Sequence, residues 1–217
     1  MKRPIRSSTN AAFTLIELLV VITIIGILAT LAPSAINGVL EKANQTKAVN
    51  GCRNVISALK LYASEHDGAF PSGDTAADAF SKLLPQEEGS QGYIPGKKDF
   101  IVKGSAWTKA TDNAGNTDMK KLAANENHWA YMAGLDDAGG ARWPLVFDGP
   151  SSPDGKYSNK KGEKGGVWSG KTAIVGRLGG DVAAEALTNL SVKSDGQDNI
   201  LRPTETWATG GKVSMPY

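Results

Sequence analysis

Cysteine is nearly missing from this chain: Cys52 stands alone among 217 residues, which excludes an intrachain disulfide. Histidine is scarcely commoner, with only His66 and His128, too few for a His-rich zinc site. No Gly-x-Ser-x-Gly occurs, and no Ser, His and acid order stands out as a nucleophilic triad. The paired acids Glu87-Glu88 and Asp136-Asp137 are sequence neighbours, the arrangement of solvated turns, so no enzyme is expected. A charge excess of one sign is missing as well. The formal +2 becomes +2 − 3 = −1 for residues 13–217 once Lys2, Arg3 and Arg6 are set aside. The isoelectric point near 8.5 therefore belongs to the first residues, and no basic surface for nucleic acid is implied.

Charge is scarcest between residues 13 and 32, which read FTLIELLVVITIIGILATLA with Glu17 as the one ionisable side chain in twenty. As a helix this run is roughly 30 Å long, enough to cross a bilayer core. A carboxylate there costs about 2.5–3.5 kcal/mol on insertion scales and needs a partner. A cut between Ala12 and Phe13 would supply one, a new α-amino group beside the membrane. Residues 1–12 suit that cut: Lys2, Arg3 and Arg6 are unaccompanied by acid and hold the N-terminus on the cytoplasmic side. A secretory signal instead places its cleavage site after a shorter apolar run. An uncleaved signal anchor is the alternative, and intact mass separates the two.

Phe13-Thr14-Leu15-Ile16-Glu17, behind a short basic leader and ahead of a Leu/Val/Ile run, resembles the N-terminal signature of the type IV pilin and type II secretion pseudopilin superfamily. Gly26 and Pro33 resemble its pattern too, whereas Ala12 stands where the family usually has Gly. The resemblance implies leader removal by prepilin peptidase and N-methylation of Phe13. It also implies assembly through Glu17, which would meet the N-terminal amine of a neighbouring subunit. The implied partners are copies of the chain, other pseudopilins, an inner-membrane assembly platform and the bilayer. The implied place is the bacterial inner membrane, single pass, with an extracytoplasmic C-terminal lobe, or a filament. A monomeric signal-anchored binding protein is the other functional class.

Beyond Pro33 an amphipathic helix is expected to residue 67. Ile36, Leu40, Ala43, Val49, Cys52, Ile56, Leu59 and Ala63 fall on one side of a 3.6-residue period. Cys52 belongs to that apolar face, as a core residue. Gly38 and Gly51 each weaken the helix by about 1 kcal/mol relative to Ala. Gly68 reads as its cap, with Pro71 preventing resumption. A short helix is expected over residues 76–84. Strands are expected over residues 99–102, 128–132, 144–147, 171–175 and 181–184, with 149–166 as a polar loop. The fold class is therefore α+β and pilin-like, a long N-terminal helix packed on a small strand-rich lobe. The divisions are a leader at 1–12, a transmembrane and assembly helix at 13–33, an amphipathic helix at 34–67 and the lobe at 68–217.

Two motifs invite ligands. Gly165 to Thr172 matches GxxxxGK[ST], but a phosphate loop needs a strand before it and a helix after it, and here a Lys- and Gly-rich stretch precedes an apolar β-like run. A turn is the better reading. Ser194-Asp195-Gly196-Gln197-Asp198-Asn199 offers oxygen chemistry for calcium, and late acidic calcium loops are a pseudopilin trait by resemblance. Asp195 and Asp198 would be the ligands, against an Asx-rich turn as the plainer reading. Residues 112–118 are a weaker case of the same kind. The distal third, with His128-Trp129 and Phe147-Asp148-Gly149, resembles a wider group of prepilin-like proteins. Trp129, Trp143, Trp168 and Trp207 are expected to fill core and loop packing.

Overall fold

A 51-residue helix, α1 (Leu15–Glu65), opens the fold and runs past Pro33 without ending there. The computed structural model describes residues 13–87, 89–108, 120–193, 199–202 and 211–217, the side chains of 30–37 excepted. Two compact units divide within α1, Met1–Ala43 and Asn44–Tyr217. Among the described residues no helix is long and apolar enough to cross a membrane. In the first unit every large apolar side chain from Phe13 to Leu28 is exposed.

In the second unit α1 turns one stripe to a core: Ala48, Cys52, Val55, Ile56, Leu59 and Ala63 are buried. This is the expected face, broadened by Ala48, Val55 and Ala58, while Leu40 stays exposed and Val49 is half-buried. The helix stops where Gly68 adopts φ 81° and donates its N–H to the Ala63 carbonyl at 2.9 Å. That is two residues before the expected end, with Gly68 as its cap.

A second helix, α2 (Ala76–Ser81), is shorter than expected. Thr75 caps it by accepting the Asp78 N–H at 3.2 Å. The Met215 and Pro216 carbonyls take the N–H groups of Ala76 and Ala77. The orphan donors of its first turn are thereby satisfied. Leu83 and Leu84 leave the helix and bury in the core.

Among the described residues six antiparallel strands form one sheet: β1 (Trp129–Ala133), β2 (Pro144–Asp148), β3 (Thr172–Arg177), β4 (Val182–Thr188), β5 (Ser191–Val192) and β6 (Lys212–Ser214). Their order is β5-β4-β3-β2-β1-β6, a meander closed at one edge by the last strand. Four expected strands start within one residue of expectation, and β4 runs on to Thr188. Residues 99–102 do not form a strand. Lys97–Phe100 is a 3₁₀ turn instead. The edge of β1 away from β2 is paired with β6. The turn serves as a clamp: the Asp99 carbonyl accepts from Trp129 Nε1 at 2.8 Å, and the Phe100 carbonyl from the His128 N–H at 2.9 Å.

Two glycines set how closely α1 packs. A Cβ at Gly51 would lie 3.0 Å from the Asp99 carbonyl oxygen, so the residue that weakens the helix also admits the clamp. A Cβ at Gly176 on β3 would lie 2.2 Å from Ile56 Cδ1 and 2.9 Å from Cys52 Sγ. Gly176→Ala should therefore cost about 1–3 kcal/mol through overpacking, read as a lower urea midpoint by circular dichroism. Pairing it with Ile56→Val should recover part of the loss. A midpoint equal to wild type would show that the helix is not seated this tightly. Cys52 is buried, and that burial pushes its thiol pKa well up, as suits a core residue.

Candidate functional site

The N-terminal segment builds its own geometry. Thr14 precedes the first helical residue, and Glu17 lies three positions on. The Glu17 carboxylate accepts the Thr14 N–H at 2.8 Å and the Thr14 hydroxyl at 2.7 Å. The Thr14 hydroxyl oxygen in turn accepts the Glu17 N–H at 3.3 Å. This is a reciprocal capping box, which satisfies two of the orphan donors at the start of a helix. The Thr-x-x-Glu spacing carries that signal openly, although the expectation for Glu17 rested on its isolation in the apolar run. All three bonds engage one carboxylate oxygen, Oε2, or the backbone. The carboxylate is thus held at the head of the helix with its second oxygen pointing to no donor among the described residues.

Around Glu17, Phe13, Ile16, Val20 and Val21 line a shallow depression on the same side of the helix. Leu15 is 88% exposed and Phe13 77%. Contiguous apolar exposure on this scale marks an interaction surface, not a surface finished for water. Ala12 lies outside the described residues, so the junction before Phe13 has only one side in view.

The second constellation is buried in the lobe, and the sequence does not announce it. Ser105, His128 and Asp148 form a chain: Ser105 Oγ meets His128 Nδ1 at 2.6 Å, and His128 Nε2 meets Asp148 Oδ1 at 2.6 Å. The other oxygen, Asp148 Oδ2, accepts from Trp168 Nε1 and from the Ile174 N–H, each at 2.7 Å. The Asp148 carbonyl accepts from the Tyr157 hydroxyl at 2.9 Å. Ser105 Oγ also accepts the Trp107 N–H at 3.1 Å. Asp148 Oδ1, a carboxylate oxygen, accepts from His128 Nε2.

The order Ser, His, Asp imitates a hydrolase triad, but the arrangement has no room for one. Asp148 is fully buried, His128 is 1% exposed and Ser105 7%. A nucleophile must reach a substrate and an oxyanion hole, whereas this hydroxyl is spent on its own loop. The network instead fastens three segments, 102–108, 149–170 and β3, onto the end of β2. His128, just before β1, is a satisfied structural histidine.

The remaining sequence candidates distribute as follows. Gly165 to Thr172 forms turns that enter β3 at Thr172, with no strand before it and no helix after it, so it lacks the frame of a phosphate loop. Asp195, Asp198, Trp207 and residues 112–118 lie outside the described residues. At the described margin of the acidic turn, Asn199 is already committed: its Nδ2 donates to the Asp154 carbonyl at 2.7 Å, and its Oδ1 accepts the Leu201 N–H at 3.0 Å. Among the described residues no group of three or more metal-ligating side chains comes together. Trp129 and Trp168 are buried, Trp143 is half-buried, and Trp107 joins them with Lys164 Nζ 4.0 Å above its ring.

Comparison with known proteins places this geometry. Residues 7–33 match the prokaryotic N-terminal methylation motif. Over 134 residues the chain is 30% identical to type II secretion system core protein G of Pectobacterium carotovorum subsp. carotovorum, covering 50% of this chain and 85% of that protein. Over 136 residues it is 39% identical to type II secretion system core protein G of Aeromonas hydrophila, covering 51% of this chain and 94% of that protein. No solved structure matches the chain.

Proposed function

Because the chain belongs to the pseudopilin family of type II secretion system core protein G, we propose that it is a pseudopilus subunit assembled through the exposed apolar face of its N-terminal helix. It is a structural protein and not an enzyme, as its relatives are. The observation that carries the proposal is the placement of Glu17. It is a carboxylate pinned by Thr14 at the head of a helix whose large apolar side chains from Leu15 to Leu28 are exposed. Such a surface has to be covered, and a carboxylate with a free oxygen can accept a cationic amine as it is covered.

In this reading prepilin peptidase cuts between Ala12 and Phe13, Phe13 is N-methylated, and residues 13–33 hold the chain in the bacterial inner membrane. The amphipathic helix over residues 34–67 and the lobe over residues 68–217 stand outside the cytoplasm. The apolar run of residues 13–32 supports insertion by its length. Copies of the chain, other pseudopilins and the inner-membrane platform are its partners. Intact mass of the chain extracted from membranes checks the processing step. The expected species begins at Phe13 and carries one added methyl group. A chain retaining Met1 and residues 2–12 in cells with active prepilin peptidase would favour the signal-anchored monomer.

Calcium in the turn containing Asp195 and Asp198 is a secondary proposal. Chelation should then lower the melting temperature, calcium should restore it by mass action, and Mg²⁺ should substitute poorly. Identical melting with and without chelator would leave a plain Asx-rich turn.

A further inference from the structure

The lobe is electrically two-ended, and the sheet topology decides which end carries which charge. Gln45 Nε2 donates to Thr172 Oγ1 at 2.9 Å, so β3 starts beside the first turn of α1 in the lobe. β2 runs antiparallel to β3 and finishes at Asp148, which brings the connection over residues 149–171 to this same end. At the opposite end the Asp137 N–H donates to the Gly68 carbonyl at 3.0 Å, just past the last turn of α1. A Cβ at Gly180, in the turn after β3, would lie 3.6 Å from Lys60 Nζ, which puts that turn toward this far end as well.

Residues 149–171 hold five lysines, Lys156, Lys160, Lys161, Lys164 and Lys171, against Asp154 and Glu163, a net of 5 − 2 = +3. Residues 13–217 together carry −1, so the rest of that stretch carries −1 − 3 = −4. All five lysines are exposed. The loop is an ordered platform: the Tyr157 N–H donates to the Leu190 carbonyl at 2.9 Å, the Ser158 N–H to the Gly165 carbonyl at 3.1 Å, and Lys164 rests over the Trp107 and Tyr217 rings. The far end displays Glu65, Asp67, Asp136 and Asp137 against Lys60 and Arg142, all exposed.

We propose that the lysine platform of residues 149–171 rests on an anionic lipid headgroup surface. This depends on the membrane reading given above. Asn44, where the chain enters the lobe, follows Pro33 by eleven residues, so the basic end is the one the chain reaches first from the apolar run. Clustered lysines next to a membrane segment are attracted to anionic lipid over about a Debye length, and salt weakens the attraction. The acidic far end would be repelled by the same surface, which orients the lobe.

The test reconstitutes the full chain in vesicles of phosphatidylcholine alone, or of phosphatidylcholine with phosphatidylglycerol. Lysine acylation is then followed by peptide mass spectrometry. Acylation of Lys156, Lys160 and Lys161 should slow by about fivefold in the phosphatidylglycerol vesicles and recover in high salt, while Lys60 labels equally in both. The double variant Lys160→Glu, Lys161→Glu should abolish the difference at Lys156. Equal labelling in the two lipids, with the chain inserted, would overturn this proposal alone. So would protection that follows protein density but not lipid charge, since that would put the acidic end of a second copy on the platform. A chain that inserts into neither vesicle would overturn both this proposal and the membrane reading.

Discussion

Asp148→Ala is expected to unfold the lobe or bring it close to unfolding. The substitution strips the acceptor from His128 Nε2, Trp168 Nε1 and the Ile174 N–H together, all in a site without solvent. Breaking one partner of a buried charged network costs about 3–5 kcal/mol, a large share of the roughly 5–15 kcal/mol that holds a domain folded. Asp148→Asn keeps the volume and one acceptor oxygen but points an amide N–H₂ at a donor, and should cost about 1–3 kcal/mol. Ser105→Ala removes the outer link and the acceptor of the Trp107 N–H, and should cost about 1 kcal/mol. Urea titrations read by Trp fluorescence would rank the three. A midpoint for Asp148→Ala within error of wild type would remove the network from its structural role.

The second large effect is expected at Glu17 and appears in assembly, with the lobe unaffected. Glu17→Gln keeps an oxygen for the Thr14 N–H, so the capping box survives in weakened form while the charge is gone. Hydrogen bonds to a charged group contribute about 1.5–3 kcal/mol, so filament incorporation should fall by about tenfold or more, with unchanged melting of the lobe. Thr14→Ala is the complementary variant. It removes the hydroxyl that bonds to Glu17, costs about 1 kcal/mol at the helix start, and should leave incorporation largely intact. If Glu17→Gln assembled like wild type while Thr14→Ala did not, Glu17 would be a helix cap and nothing more. The structure makes this pair of variants necessary, because a plain Glu17→Ala change removes cap and charge at once.

What the sequence determined by itself is whatever depends on order along the chain. The basic leader, the apolar run, Glu17 and the helical stripe through Cys52, Ile56, Leu59 and Ala63 are local patterns, and periodicity reads them directly. Four strands were legible because β-rich runs sat between Gly, Asn and Asp punctuation. The Gly68 cap was legible because left-handed backbone favours glycine. The Thr14-x-x-Glu17 box belonged to this class too and was overshadowed by a single charge in an apolar run. Only the tertiary structure decided the rest. The partner of β1 on the edge away from β2 is β6, more than 75 residues further along the chain, while residues 97–100 form a 3₁₀ turn. The need for glycine at 51 and 176 came from the closeness of α1 to its neighbours, which no local pattern encodes. Ser105, His128 and Asp148 are separated by 23 and 20 residues, and their meeting follows from strand pairing and burial, not from spacing. Burial also decided what that meeting is: the same three side chains at a surface could act on a substrate, whereas sealed from water they hold segments of the lobe together.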